Sequence, residues 1–327
     1  MIIAEIGSVH DGSLGNAKNL IFEAKRCGAD YAKMQMHIAE EETTKKALSP
    51  SYFKNEKRYD YFKRTSFKDR DWKNIIKYCK KIKIKFLCSV FSIKSAKKLI
   101  KLGVKNIKIP SGEVTNLPLL NFLSKKDVKI FLSTGMSDYD EIMQAISILK
   151  RNELILMQCT SIYPCPPEKV GLNLIIDFKK KFSNNIEIGF SDHTKGQEAG
   201  IIATVYGAKY IEKHITFSNK MYGSDARLAM ELNDFKSFCK SIKITKKIIN
   251  SRVDKNYLKP FLKIKKIFEK KIVAKKNLFK GNIINIGNLA FKKSNSGINV
   301  KYYNKLIGKK VIRFIGKDEP INLNLLK

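Results

Sequence analysis

Short apolar runs of strand length alternate along the chain with longer stretches of helical periodicity, the pattern of repeated β-α units feeding a buried parallel sheet. The runs are Met1–Ile6, Tyr31–Met36, Lys85–Phe91, Asn106–Ile109, Lys129–Ser133, Leu154–Thr160, Ile186–Ser191 and Tyr210–Thr216. Between them the spacing predicts helices over Asn16–Cys27, Asp69–Lys83, Lys94–Leu102, Asp140–Lys150 and Gly196–Tyr206. Eight units in about 250 residues fit a closed barrel better than an open doubly wound sheet. The expected fold class is α/β, a (β/α)8 TIM barrel over residues 1–250. Residues 247–266 are lysine-rich and weakly patterned, so the tail of the last helix is expected to run into a linker, 251–267. Beyond it, Lys271 to Gly281 and Gly308 to Gly316 read as short strands broken by Gly and Asn turns, a small mostly-β domain over 268–327.

The balance of 64 Lys and Arg against 30 Asp and Glu, a formal charge of +34, would ordinarily raise nucleic acid or an anionic membrane as partner. The lysines are dispersed, as in Lys77 to Lys85 and Lys240 to Lys247, with Ile and Asn abundant beside them. That reads as solvated helix faces, so no nucleic-acid groove is expected, although the excess charge attracts anionic substrates. The six cysteines show no paired framework and no CxxC spacing, which fits reduced thiols in a cytoplasm. No basic start with a long apolar run opens the chain, and no stretch approaches a membrane span. A cytoplasmic protein without a membrane partner is expected.

In such a barrel the active site lies where strands end, so polar residues there carry the chemistry. Nearly every run ends in some: Glu5; Lys33 and Gln35; Ser89; Lys108, Ser111 and Glu113; Ser133 and Thr134; Thr160 and Tyr163; Ser191 and His193; His214. Lys, Glu and His at the inner ends of buried strands each cost desolvation unless paired, and a purely structural protein has no reason to put them there. Lys33 and Lys108 among hydroxyls make an anion site; taken singly, each lysine reads as a snorkelling side chain. His193 and His214 end consecutive strands, side by side at the mouth, where neutral imidazoles suit a divalent ion of the Mn2+ type. Isolated histidines are more often hydrogen-bonded structural groups. For His10 and His37, in loops beyond the first two strands, substrate contact and ordinary exposure stand equal.

Several motifs in register then resemble the bacterial sialic acid synthase (N-acetylneuraminate synthase) family over essentially the full length. They are Ile3-Ala-Glu-Ile-Gly-Ser-Val-His-Asp-Gly12, Lys33-Met-Gln35, Lys108-Ile-Pro-Ser-Gly-Glu113, Leu132-Ser-Thr-Gly-Met136, Cys159-Thr-Ser-Ile-Tyr-Pro164, Gly189-Phe-Ser-Asp-His-Thr194, Ile211-Glu-Lys-His214 and Gly223-Ser-Asp225. The C-terminal part resembles the family's antifreeze-like (SAF) domain. The resemblance implies that C3 of phosphoenolpyruvate attacks the aldehyde of open-chain N-acetylmannosamine, water attacks C2, and phosphate leaves by C–O cleavage. It implies that His193 and His214 bind a divalent metal, Mn2+ ahead of Mg2+ or Co2+. Lys33, Ser89, Lys108, Ser111, Ser133 and Ser191 would hold phosphoenolpyruvate, Glu113 would serve the water and the protons, and Glu5 would support the metal. Gln35, Tyr163 and Asp225 would contact the sugar. A domain-swapped homodimer is implied, with Lys293 standing where the family places an Arg on the N-acetyl group; Val90 and Gln158 are further departures. The alternative within the same chemistry is a legionaminic or pseudaminic acid synthase using a 2,4-diacetamido sugar.

Overall fold

The computed structural model describes residues 1–49, 56–182, 186–223 and 225–327. Among them, parallel strands β1 (Ile2–Gly7), β2 (Tyr31–Met36), β3 (Lys85–Val90), β4 (Asn106–Ile109), β5 (Lys129–Ser133), β6 (Leu154–Gln158), β7 (Glu187–Asp192) and β8 (Tyr210–Thr216) pair in sequence order. β1 also pairs β8, Ile3 opposite Glu212 and Glu5 opposite His214, which closes the barrel. The expected TIM barrel is therefore observed.

The barrel follows from a period of two along each strand. One set of alternate residues, Ile3, Tyr31, Leu87, Phe131, Ile155, Met157 and Tyr210, fills the interior as a separate apolar layer. The other set, including Ile2, Ala4, Met34, Cys88, Ile107, Leu132 and Phe190, packs outward against the helices. Those helices carry matching stripes. Asp69–Lys81 buries Trp72, Ile75, Ile76 and Cys79, spaced on one face, and complements its dipole with Asp69 and Asp71 in the first turn and Lys80 and Lys81 in the last. Ile93–Lys101 starts from a Ser92/Ser95 capping box. The long β2–β3 connection inserts Ala39–Glu42 and Arg58–Thr65 before Asp69–Lys81.

Four strands differ from the pattern at their ends; β1 runs one residue later, Ile2–Gly7, and the other three differ for local reasons. β6 stops at Gln158 because Thr160 leaves the sheet, its hydroxyl donating to Lys169 O at 2.9 Å. β7 extends to Asp192, which pairs Lys213 across the ladder. β3 ends at Val90, before Ser92 caps the next helix.

The chain divides into two compact units, Met1–Ser251 and Arg252–Lys327. In the second, Lys270–Ala274 pairs antiparallel with Leu289–Lys293, and isolated bridges such as Leu278 with Ile315 and Val311 with Leu326 complete a β framework. Ile272, Ala274, Leu278, Ile284, Leu289, Val311, Ile315 and Ile321 form its core. The stretch expected as a plain linker contains a helix, Leu262–Phe268. Its apolar residues Leu262, Ile264, Ile267 and Phe268 are exposed, so no buried stripe marked it in the sequence. No helix among the described residues is long and apolar enough to cross a membrane.

Candidate active site

One step along the inner face from the apolar layer, the alternation that supplied Ile3, Tyr31 and Tyr210 supplies Glu5, Lys33 and Glu212 instead, joined by Lys108 of β4. All four are buried. Lys33 Nζ lies 2.7 Å from Glu5 Oε2 and 3.1 Å from Glu212 Oε1; Lys108 Nζ lies 2.8 Å from Glu212 Oε2. Ser191 donates to Glu212 Oε1 at 3.0 Å, and Gln35 Nε2 to Glu5 Oε1 at 2.6 Å. The quartet is formally neutral, the condition under which four charges can sit inside a barrel. Burial opposes charge at Lys33, but Glu212 and Glu5 outweigh it and hold the ammonium above the usual lysine range. Despite burial, Lys108 and Lys33 hold Glu212 below the usual carboxylate range. For Lys108, burial and the charge of Lys33 outweigh Glu212, so it is the weaker cation of the two.

Above the quartet opens a cleft of about 490 Å³ that Ser89, Ser111, Glu113, Ser133, Tyr163, His193, His214 and Asp225 also line. Ser111 Oγ lies 3.2 Å from Cys159 Sγ and accepts from Gly135 N at 3.0 Å. Glu113, in the turn Ser111–Glu113, accepts from Asn116 Nδ2 at 2.7 Å, and burial raises its pKa. Asp225 accepts from Ser8 N at 2.8 Å. That approach needs Gly7, whose φ is +53° and whose added Cβ would stand 2.3 Å from Asp225 Oδ2. Ser224 of the Gly223-Ser-Asp225 motif lies outside the described residues.

His193 Nδ1 donates to Thr160 O at 2.8 Å, which leaves the Nε2 lone pair facing Tyr163 Oη at 3.2 Å and Ser191 Oγ at 3.5 Å. Burial, with His214 nearby, lowers its pKa to about 3, so the ring is neutral. The His214 ring centre is 6.0 Å away, and His214 Nδ1 is buried without a hydrogen-bond partner among the described residues. Two imidazoles, His193 offering the Nε2 lone pair and His214 a buried Nδ1, fit a divalent ion that takes its remaining ligands from water and substrate. Among the described residues no group of three or more His, Cys, Asp or Glu side chains gathers there.

Most of the residues singled out from the sequence therefore meet in one cleft. Lys293 belongs to the second unit, where its ammonium lies 4.8 Å from the Phe268 ring. Glu5 faces Lys33 and Gln35, where support of a metal was expected, and Gln35 itself bridges Glu5 and His37. Strand-end reasoning overlooked Glu212, although residues 210, 212 and 214 share one face by the period of two. It also overlooked Asp192 and Lys213, each one residue before a cleft histidine. Lys213 Nζ donates to Asp192 Oδ2 at 2.9 Å and to Thr194 O at 2.6 Å, tying the ends of β7 and β8 together.

Residues 20–254 match the NeuB family, and residues 270–327 match the SAF domain. The chain belongs to the NeuB family. N,N'-diacetyllegionaminic acid synthase of Campylobacter jejuni is 35% identical over 331 residues, 98% of this chain and 98% of the relative. Human N-acetylneuraminate-9-phosphate synthase is 32% identical over 327 residues, 98% of this chain and 90% of the relative. The crystal structure of N-acetylneuraminic acid (sialic acid) synthetase from Leptospira borgpetersenii, solved with citrate, matches with a TM-score of 0.69 at 26% identity, over 82% of this chain and 91% of that one. This NeuB chain is an enzyme of the nonulosonic acid synthase group, in the transferase class of condensing synthases.

The buried imidazoles of this NeuB protein set an acid limit on its stability. Burial lowers the pKa of His193 to about 3 and that of His10 to about 4. The unfolded chain takes up these protons near pH 6.5 and the folded one does not, so stability falls as pH drops from about 6.5 towards 4. Urea unfolding of metal-free protein across that range should show the loss, with a shallower slope in His193→Asn. The same slope in the variant would contradict a neutral His193.

Proposed function

We propose that the protein condenses phosphoenolpyruvate with the open-chain aldehyde of an N-acetylated amino sugar and water, giving a nonulosonic acid and phosphate. The observation that carries this reading is the convergence of the Lys33–Glu5–Glu212–Lys108 quartet, four serines and the two histidines His193 and His214 on one cleft. Lys33 and Lys108, fixed by their carboxylates, hold phosphate and carboxylate oxygens of phosphoenolpyruvate, with Ser89, Ser111, Ser133 and Ser191 donating hydrogen bonds. Because Glu5 and Glu212 already neutralise the lysines, these hydroxyls carry a large share of the anion's stabilisation. His193 and His214 would hold a divalent ion, Mn2+ ahead of Mg2+ or Co2+, which when bound supplies Lewis-acid polarisation of the sugar aldehyde. Tyr163 and Asp225 orient the sugar so that C3 of phosphoenolpyruvate faces its C1. When that C–C bond forms, electron demand moves to C2; Glu113 takes one proton of the water that adds there and gives it to the former aldehyde oxygen, and phosphate leaves with the bridging oxygen by C–O cleavage as the C2 hydroxyl gives up its proton to it and becomes the ketone.

The sequence reading names N-acetylmannosamine as the sugar and N-acetylneuraminate as the product. The second reading, a 2,4-diacetamido sugar, is favoured by the 35% identity to the Campylobacter legionaminic acid synthase against 32% to the human enzyme. Metal-stripped protein given phosphoenolpyruvate, Mn2+ and either sugar should release phosphate in step with nonulosonic acid, and the sugar that supports release decides between the two. Release with neither would refute the proposal.

Glu113→Gln should lower kcat by about 100- to 10,000-fold with little change in KM for phosphoenolpyruvate. Burial raises the pKa of Glu113, and a base works only when deprotonated. The acid limb of the wild-type kcat profile should therefore lie above the ordinary carboxylate range; a limb within that range would contradict this role.

A further inference from the structure

We infer that His37 is a positioning residue that works as an imidazolium, holding Gln35 so that Gln35 holds Glu5 and Glu5 fixes the Lys33 ammonium. The first observation is the direction of the hydrogen bonds. Gln35 Nε2 lies 2.6 Å from Glu5 Oε1, and a carboxylate only accepts, so the amide presents its NH2 to Glu5. Its carbonyl Oε1 then stands 2.9 Å from His37 Nε2, which must carry a hydrogen. On the other side, His37 Nδ1 lies 2.8 Å from Glu42 Oε1, a second acceptor. A neutral imidazole has a single N–H and would set a lone pair against one of these two oxygens; the imidazolium satisfies both. With Glu42 as the carboxylate, which only accepts, the hydrogen between Nδ1 and Oε1 is the ring's.

The second observation is independent of the first. The His37 ring lies between two phenyl faces, Phe62 with centroids 3.7 Å apart and planes at 7°, and Phe91 at 4.1 Å and 21°. Two aromatic faces favour a cation over a neutral ring. The pair is sealed, His37 at 8% and Glu42 at 4% side-chain exposure, and Glu42 Oε2 is buried without a hydrogen-bond partner among the described residues. The charge of Glu42 is thus directed at His37.

Among the described residues, the other charged or titratable groups facing this ring are Arg58, His10, Glu113 and Glu5. Arg58 lies over Phe62, 5.4 Å from its ring, and opposes the cation. His10 feels His37 as a repulsive neighbour. Glu113 is close enough to Glu42 to feel its charge, and Glu5 acts through Gln35. Glu42 is the carboxylate in direct contact, 2.8 Å from Nδ1. The consequence for substrate rests on the proposed function: taking away the Glu42 charge removes one donor from the chain and loosens Lys33, which raises KM for phosphoenolpyruvate more than it lowers kcat.

The test combines a spectrum and a kinetic profile. Long-range 1H–15N spectra of full-length, metal-free protein, with His37 identified by its loss in His37→Asn, should show both ring nitrogens protonated at neutral pH. Glu42→Gln should leave one ring nitrogen bare and raise KM for phosphoenolpyruvate about tenfold, the size of one lost charge-assisted hydrogen bond, with kcat nearly unchanged. One protonated and one bare nitrogen in the wild-type spectrum would overturn the assignment, whatever the enzyme's substrate and even where Glu42→Gln fails to fold. A folded Glu42→Gln protein with wild-type KM at every pH would overturn the positioning role. If no sugar yields phosphate, the proposed function fails alone, and the spectrum still decides the state of His37.

Discussion

Everything at the mouth of this barrel depends on the ion pairing of Lys33 and Lys108 with Glu5 and Glu212. Four charges removed from water inside a ring of strands carry a desolvation penalty of several kcal/mol each, and mutual neutralisation is what offsets it. Remove Glu212 and the buried Lys108 ammonium loses the carboxylate that pairs it. The pairing therefore constrains the register of β1, β2, β4 and β8 together, because a slip by one residue would turn these side chains towards the helices.

The same constraint prepares the cleft for an anion. The ammonium groups are held in place before substrate arrives, so little ordering remains to be done on binding. The layers on either side divide the labour. Below, Ile3, Tyr31, Leu87, Phe131 and their neighbours keep water out of the barrel. Above, His193 and His214 stand at the ends of adjacent strands, and the Asp192–Lys213 pair ties those strands together. Beside them, Gln35 and His37 extend the polar chain outward from Glu5 to Glu42. Charge, hydrogen bond and aromatic contact thus run in one connected path from the β2–β3 connection to the centre of the barrel.

Much of this was legible in the sequence. Strands buried on both sides appear as near-continuous apolar runs, so β2, β4, β5 and β8 were located to the residue. Lys33, Lys108, Glu113, His193 and His214 were found because a polar residue where such a run ends has few structural reasons to be there. Glu212 was passed over because it lies inside the run, and its meaning emerges only once β8 is known to neighbour β1, across the closure of the barrel. For the same reason Glu5 and Gln35 were read as separate contacts: their pairing depends on the β1–β2 register, which no local pattern carries. Thr160 left its strand through a bond to Lys169, and Leu262–Phe268 formed a helix without a buried stripe. Both are decided by partners that spacing does not reveal.

Glu212 and Lys108 are stable inside the barrel because each compensates the other. A double-mutant cycle on stability, with Lys108→Met, Glu212→Leu and the combined variant compared by urea unfolding, measures this most directly. Glu212→Leu alone should cost about 3–5 kcal/mol, and adding Lys108→Met should recover part of that loss, a coupling of about 1–3 kcal/mol. Two single losses that simply add in the double variant would mean the charges are not compensating each other, and the account of the site built on them would fall.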